Sequence, residues 1–92
     1  MAAYAVLYHA DVKSKDLLVI DAKTRARIKN AIETRLATEP QRCGEPLRRN
    51  LRGYWKLRVG DYRVVFKVAG AEVLVFAIMH RKDVYEKVES RM

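Results

Sequence analysis

The stretch GYWKLRVGDYRVVFKV, Gly53 to Val68, decides the fold. Trp55, Leu57 and Val59 alternate with Tyr54, Lys56 and Arg58. After Gly60-Asp61, Tyr62, Val64, Phe66 and Val68 alternate with Arg63, Val65 and Lys67. A period of two is that of a strand with one buried face, and a Gly-Asp pair between two such runs is a turn. The segment is therefore a β-hairpin. Its apolar face packs under other elements, and its other face carries Lys56, Arg58 and Arg63 outward together.

Working outward, Ala69-Gly70-Ala71 makes a second turn, and EVLVFAIMH (Glu72 to His80) is apolar almost throughout. That pattern suits a central strand covered on both sides. The tail HRKDVYEKVESRM leaves the sheet as a short helix or an extended arm. Upstream of the hairpin, QRCGEPLRRNLRG is a basic loop broken by Gly44, Pro46 and Gly53. Before it, Ile28, Ala31, Ile32 and Leu36 recur at helical spacing behind Asp21, an N-cap residue, and Pro40 is expected to end that helix. Asp11 caps a shorter helix running to about Ile20, which buries Val12, Leu17 and Ile20. YAVLY (Tyr4 to Tyr8) is a first strand. The order β-α-α-β-β-β predicts an α+β fold. A helical hairpin packs on one face of a small, largely antiparallel sheet, and the first strand lies parallel to the last. The 92 residues make a single domain, 1–92.

Charge narrows the function. The formal net charge is +8, and between Arg42 and Lys67 eight cations face only Glu45 and Asp61. A solvated sheet face can carry charge, and edge strands carry lysine against aggregation. Most of the surplus lies within one short segment, which favours a binding face for a polyanion or an acidic protein. No apolar run is long enough for a membrane span, and the N-terminus lacks a signal-peptide pattern. The single cysteine, Cys43, suits a reducing compartment, so a cytoplasmic protein is expected.

A sheet face lined by cations and flanked by Arg48, Arg49 and Arg52 is a cradle for phosphates, and Tyr54, Tyr62 and Tyr85 offer stacking surfaces for single strands. Arg81 and Tyr85 lie four apart and share a face if the tail is helical. Cleavage of RNA by its own 2′-oxygen needs a proton removed, charge neutralised on the phosphorane and a proton given to the leaving 5′-oxygen. Lysine and arginine can meet those needs. The carboxylates lack the grouping of a Mg²⁺ site, so no metal or other cofactor is expected. His80, at a strand end, reads as a structural hydrogen-bonder or as a further site residue. His9 reads as structural, Trp55 and Phe66 as core, and Asp61 as a turn residue.

EPLRRNLRGYWKLRVGDYRVVFKV followed by VLVFAIMHRKDVYEKV resembles the RelE/ParE toxin superfamily, most closely its RelE-like branch, and the helical half YHADVKSKDLLVIDAKTRARIKNAIETRL is similar to that family's opening. The resemblance implies the toxin of a type II toxin–antitoxin system, an mRNA interferase. Such a toxin is a metal-independent endoribonuclease that cleaves mRNA in the ribosomal A site by 2′-oxygen attack. Carried over position by position, it implies Lys56 as general base or charge stabiliser, Arg63 as stabiliser of the transition state, Arg81 on the leaving-group side and Tyr85 stacked on the substrate. Arg48, Arg49, Arg52, Arg58 and His80 would bind RNA. Arg58 stands where the family often has a second lysine; an arginine there keeps the charge but does not shuttle a proton. The implied partners are mRNA, the ribosome and a RelB-like acidic antitoxin that folds around the basic surface. Operator DNA would be met only through that antitoxin. Two alternatives share the scaffold: a ParE-like gyrase poison, and an inactive member that binds RNA or antitoxin.

Overall fold

Beyond the hairpin, the sheet is completed by strands drawn from both ends of the chain. The computed structural model describes residues 4–47, 51 and 53–91. Five strands, β1 (Ala5–Tyr8), β2 (Glu45–Pro46), β3 (Trp55–Val59), β4 (Tyr62–Ala69) and β5 (Glu72–His80), form one sheet in the order β1-β5-β4-β3-β2. The pair β1–β5 is parallel and the rest are antiparallel, as the element order predicts. The two-residue β2 is an addition, lying within the segment expected to be loop.

On one face of the sheet lies α1 (Ala22–Ala31), which continues as a π-wound turn through Ile32–Leu36. Asp21 caps α1: its Oδ2 accepts the Thr24 N–H at 3.1 Å, and hydrogen bonding from the Thr24 side chain and then from its backbone holds the Asp21 carboxyl below the usual carboxylate range. Ile28, Ala31, Ile32 and Leu36 are buried against Leu57, Val59, Val64, Phe66, Val73 and Val75. Two details differ from expectation. The helix runs out at Leu36, and Pro40 instead opens a short α2 (Pro40–Cys43) at a position where its missing N–H costs nothing. The segment after β1 is a π turn (Val12–Asp16) followed by a 3-10 turn (Leu17–Val19). Asp11 precedes it but makes no capping bond, because its carboxylate faces Lys15 at 4.0 Å and Arg91 at 3.6 Å. Past α2 the chain lies hard against the sheet at Gly44, where a Cβ would sit 2.6 Å from the Phe66 ring. Glycine alone leaves that ring its place.

The other face carries a second, smaller core of Leu47, Leu51, Val65, Phe76, Ala77, Met79, Val84 and Val88. The last two belong to α3 (Val84–Arg91), the helical option for the tail. An irregularity in β5 builds this core. Val65 pairs with Ala77 and Phe66 with Val75, so Phe76 is an extra residue between them. Such a bulge reverses the alternation. Val73 and Val75 before it, and Ile78 after it, face the helices, whereas Phe76, Ala77 and Met79 face α3. The unbroken apolar run of β5 is thus two alternating patterns joined out of phase.

Candidate active site

The strand register assembles the cations. On β3 and β4, Arg58 and Arg63 are direct cross-strand partners, and Lys56, two residues before Arg58, projects from the same face opposite Val65. Side chains in such positions have Cβ atoms about 4.5–5.5 Å apart, and like charges there repel. Among the described residues, no ion pair involves Lys56, Arg58, Arg63 or Lys67. This holds although Glu45 of β2 lies directly opposite Lys56. Arg63 is half-buried; its Nη1 donates to the Gly60 carbonyl at 3.0 Å and to the Tyr62 carbonyl at 2.9 Å, which ties the guanidinium to the tight turn.

The carboxyl-terminal segment closes over this face. Tyr85, on the first turn of α3, packs on the second core, and the Lys56 Nζ lies 5.8 Å from its ring centroid. That is the separation of a cation–π contact. Lys67 stands in the same relation to Tyr54, at 5.6 Å, and the Tyr54 ring rests on Phe76 with centroids 5.1 Å apart. Arg81 follows β5 directly. Its backbone N–H donates to the Asp61 carbonyl at 2.8 Å, pinning the start of the tail to the β3–β4 turn, and Arg81 itself is exposed. Lys56, Arg58, Arg63 and Tyr85 are therefore gathered at one end of one sheet face, and Arg81 is anchored at its rim.

His80 is not brought to that group. It pairs with Tyr62 across β4 and β5, their rings 5.7 Å apart edge to face, and its Nδ1 accepts the Lys82 N–H at 3.2 Å. Tyr62 packs on the helical side of the sheet, so the strand period carries His80 away from Lys56, and its contacts are structural ones within the sheet and its turn. His9 is structural as well: its Nδ1 accepts the Asp11 N–H at 3.1 Å, and its ring lies 5.1 Å from Phe76. Arg48, Arg49 and Arg52 lie outside the described residues; Leu47 and Leu51 beside them are buried in the second core. Among the described residues, no three His, Cys, Asp or Glu side chains are grouped as metal ligands.

Sequence reasoning missed one polar feature. Asp16 is buried, and its carboxylate meets the Arg91 guanidinium at 2.8 Å through both oxygens. The charge-assisted bonds that Arg91 donates to Asp16 raise the guanidinium above its ordinary range. The signal was present. Asp16 lies midway between Val12 and Ile20, four residues from each on the buried stripe. A carboxylate in that position demands a cation.

A family model described as the ParE toxin of the type II toxin–antitoxin system, parDE, matches residues 6–85. Toxin RelG of Mycobacterium tuberculosis is 37% identical over 54 residues, 56% of this chain. The match spans 62% of the length of RelG. The fold is similar to one in the crystal structure of the toxin–antitoxin complex RelBE2 from Mycobacterium tuberculosis, with a TM-score of 0.79 and 29% identity over 90% of this chain and 97% of that one. It is also similar to one in the RelB–RelE antitoxin–toxin complex from Methanococcus jannaschii, with a TM-score of 0.67 and 25% identity over 88% and 96% of the two chains.

Proposed function

Since the chain belongs to the RelE/ParE superfamily of type II toxins, on its RelE-like branch, we propose that it is a ribosome-dependent endoribonuclease that cuts mRNA in the A site. The observation that carries this reading is the direct opposition of Arg58 and Arg63 beside Lys56, on a face where no carboxylate pairs with them among the described residues. A register that sets like charges against each other costs stability. A phosphate backbone bound across the strands would turn that repulsion into attraction.

In this reading the ribose 2′-oxygen attacks the adjacent phosphorus, its proton passing to Lys56 or to a group that Lys56 stabilises. The bond to the 5′-oxygen breaks, leaving a cyclic phosphate on one fragment and a 5′-hydroxyl on the other. Arg63 has a guanidinium fixed by two turn carbonyls and faces the phosphorane as a preorganised charge. Arg81 serves the leaving oxygen, and Tyr85 stacks on a base and orients it. Arg58 binds phosphate as a fixed charge. The partner is an acidic antitoxin that covers the cations, and contact with operator DNA comes through it. This partner is supported by the toxin–antitoxin complexes in which the similar folds were solved.

One observation favours a second reading. The matching family model is that of ParE toxins, and a ParE-like toxin on this scaffold would poison gyrase. Translation in a cell-free extract, followed by primer extension on the mRNA, separates the two. Cuts in phase with codons at stalled ribosomes are the expected result. Intact mRNA accompanied by trapped DNA breaks would replace the nuclease with the gyrase poison.

A further inference from the structure

The active-site tyrosine sits on a weak element. The eight residues of α3 are too few to be helical alone, and the helix buries only Val84 and Val88. At its far end, however, Arg91 enters a built polar site. Strand β1 stops at Tyr8, level with Val75, and among the described residues the His9 N–H, which donates to the Val75 carbonyl at 2.8 Å, is the last backbone group of that segment bonded to β5. Just beyond, the Phe76 carbonyl accepts from Arg91 Nη1 at 3.0 Å, and the Ile78 N–H donates to Asp16 Oδ2 at 2.9 Å. The Asp16–Arg91 ion pair closes the ring with two bonds of 2.8 Å, and Asp11 lies 3.6 Å from Arg91 Nε. Asp16 and Arg91 side chains are 5% and 9% exposed. Burying two charges is costly unless bonds of this kind satisfy them, and the return is a single geometry more than raw stability. The pair joins the segment after β1, the bulged strand and the end of α3 in one fixed arrangement.

We propose that Asp16 and Arg91 are positioning residues that lock α3 so that Tyr85 stays over Lys56. This rests on the nuclease reading for its consequence in catalysis, though not for its geometry. Arg91→Lys keeps the charge and loses the planar fork that meets both carboxylate oxygens and the Phe76 carbonyl. Displacement of a substrate-positioning group by about 1 Å can cost on the order of 100-fold in rate. Arg91→Lys is therefore expected to lower the rate of mRNA cleavage at saturating ribosomes about 10- to 100-fold. In a Tyr85→Ala background the same change should cost almost nothing, because both act through one ring. A merely structural loss would add to that of Tyr85→Ala, and additive losses overturn the proposal.

A second measurement needs no activity. In NMR spectra of the protein, the contact between the Tyr85 ring and the Lys56 side chain should vanish in Arg91→Lys and in Asp16→Asn, while the amide signals of β3 and β4 stay in place. Persistence of the ring contact in both variants overturns the lock, whatever the cleavage rates. If the parent protein cuts no mRNA, the nuclease reading fails and the catalytic consequence falls with it. The ring contact then decides the lock alone.

Discussion

The two faces of the sheet are built from the same strands and teach opposite lessons. Toward α1 the alternating residues of β3, β4 and β5 form one apolar layer that includes Leu57, Val64, Phe66 and Val75. On the face toward α3 a smaller core around Val65 and Phe76 is rimmed by Lys56, Arg58, Arg63 and Lys67. Among the described residues, the first face leaves no buried side-chain polar atom without a partner. The second gathers charges of one sign with no ion-pair partner among the described residues. Under the proposed function, the larger core and the binding surface fall on different sides of one hairpin, and adjacent residues along a strand belong to different tasks.

That division can be broken by experiment. The largest effect belongs to the helical face. Phe66 is wholly buried, and Phe66→Ala should cost about 3–5 kcal/mol in a denaturant titration. Total stabilities of single domains are about 5–15 kcal/mol, so activity would be lost only as the protein unfolds. Arg63→Ala should do the reverse. Cleavage in the cell-free assay should fall about 100- to 1,000-fold, the cost of removing a preorganised oxyanion donor. Loss of the bonds to the Gly60 and Tyr62 carbonyls is offset by relief from Arg58, so stability should fall far less than for Phe66→Ala. If Arg63→Ala unfolds the protein while Phe66→Ala does not, the allotment of tasks is wrong.

Much of this was legible in the sequence because the alternation of β3 and β4 is strict. It sorts Trp55, Leu57, Val64 and Phe66 from Lys56, Arg58 and Arg63 with no knowledge of their neighbours, and helical spacing does the same for Ile28, Ala31, Ile32 and Leu36. What stayed hidden depends on contacts distant along the chain. The bulge at Phe76 has no local marker, since an apolar run looks the same with or without a change of phase. His80 is next to Arg81 and close to Tyr85 in sequence, yet its ring packs on Tyr62 on the helical side while Tyr85 lies over Lys56 on the other face. Leu47 and Leu51, four apart in a segment read as a basic loop, were not read as core because arginines surround them. Asp16 and Arg91 are separated by nearly the whole chain. Only the position of Asp16 on a buried stripe hinted at a partner.

The smallest expected effect is the one that tests the comparison most sharply, because it asks the two tasks to move in opposite directions. Arg58 is exposed and faces Arg63 directly across the strands. Arg58→Glu replaces a repulsion with an attraction, and directly opposed pairs of this kind are worth about 0.2–1 kcal/mol. In a domain of this size about 1 kcal/mol corresponds to about 4–8 °C in Tm, so the variant should melt up to several degrees higher. The gain should shrink as salt is added, because exposed charges are screened. The same substitution removes one phosphate contact and adds an anion beside the path of the RNA, so cleavage should fall. A variant that is more stable and less active shows that the wild-type register holds its cations together at a cost that the bound polyanion offsets. If the melting temperature drops at low salt, the Arg58–Arg63 opposition is not the source of strain that the register implies. The observation carrying the nuclease reading would then be lost.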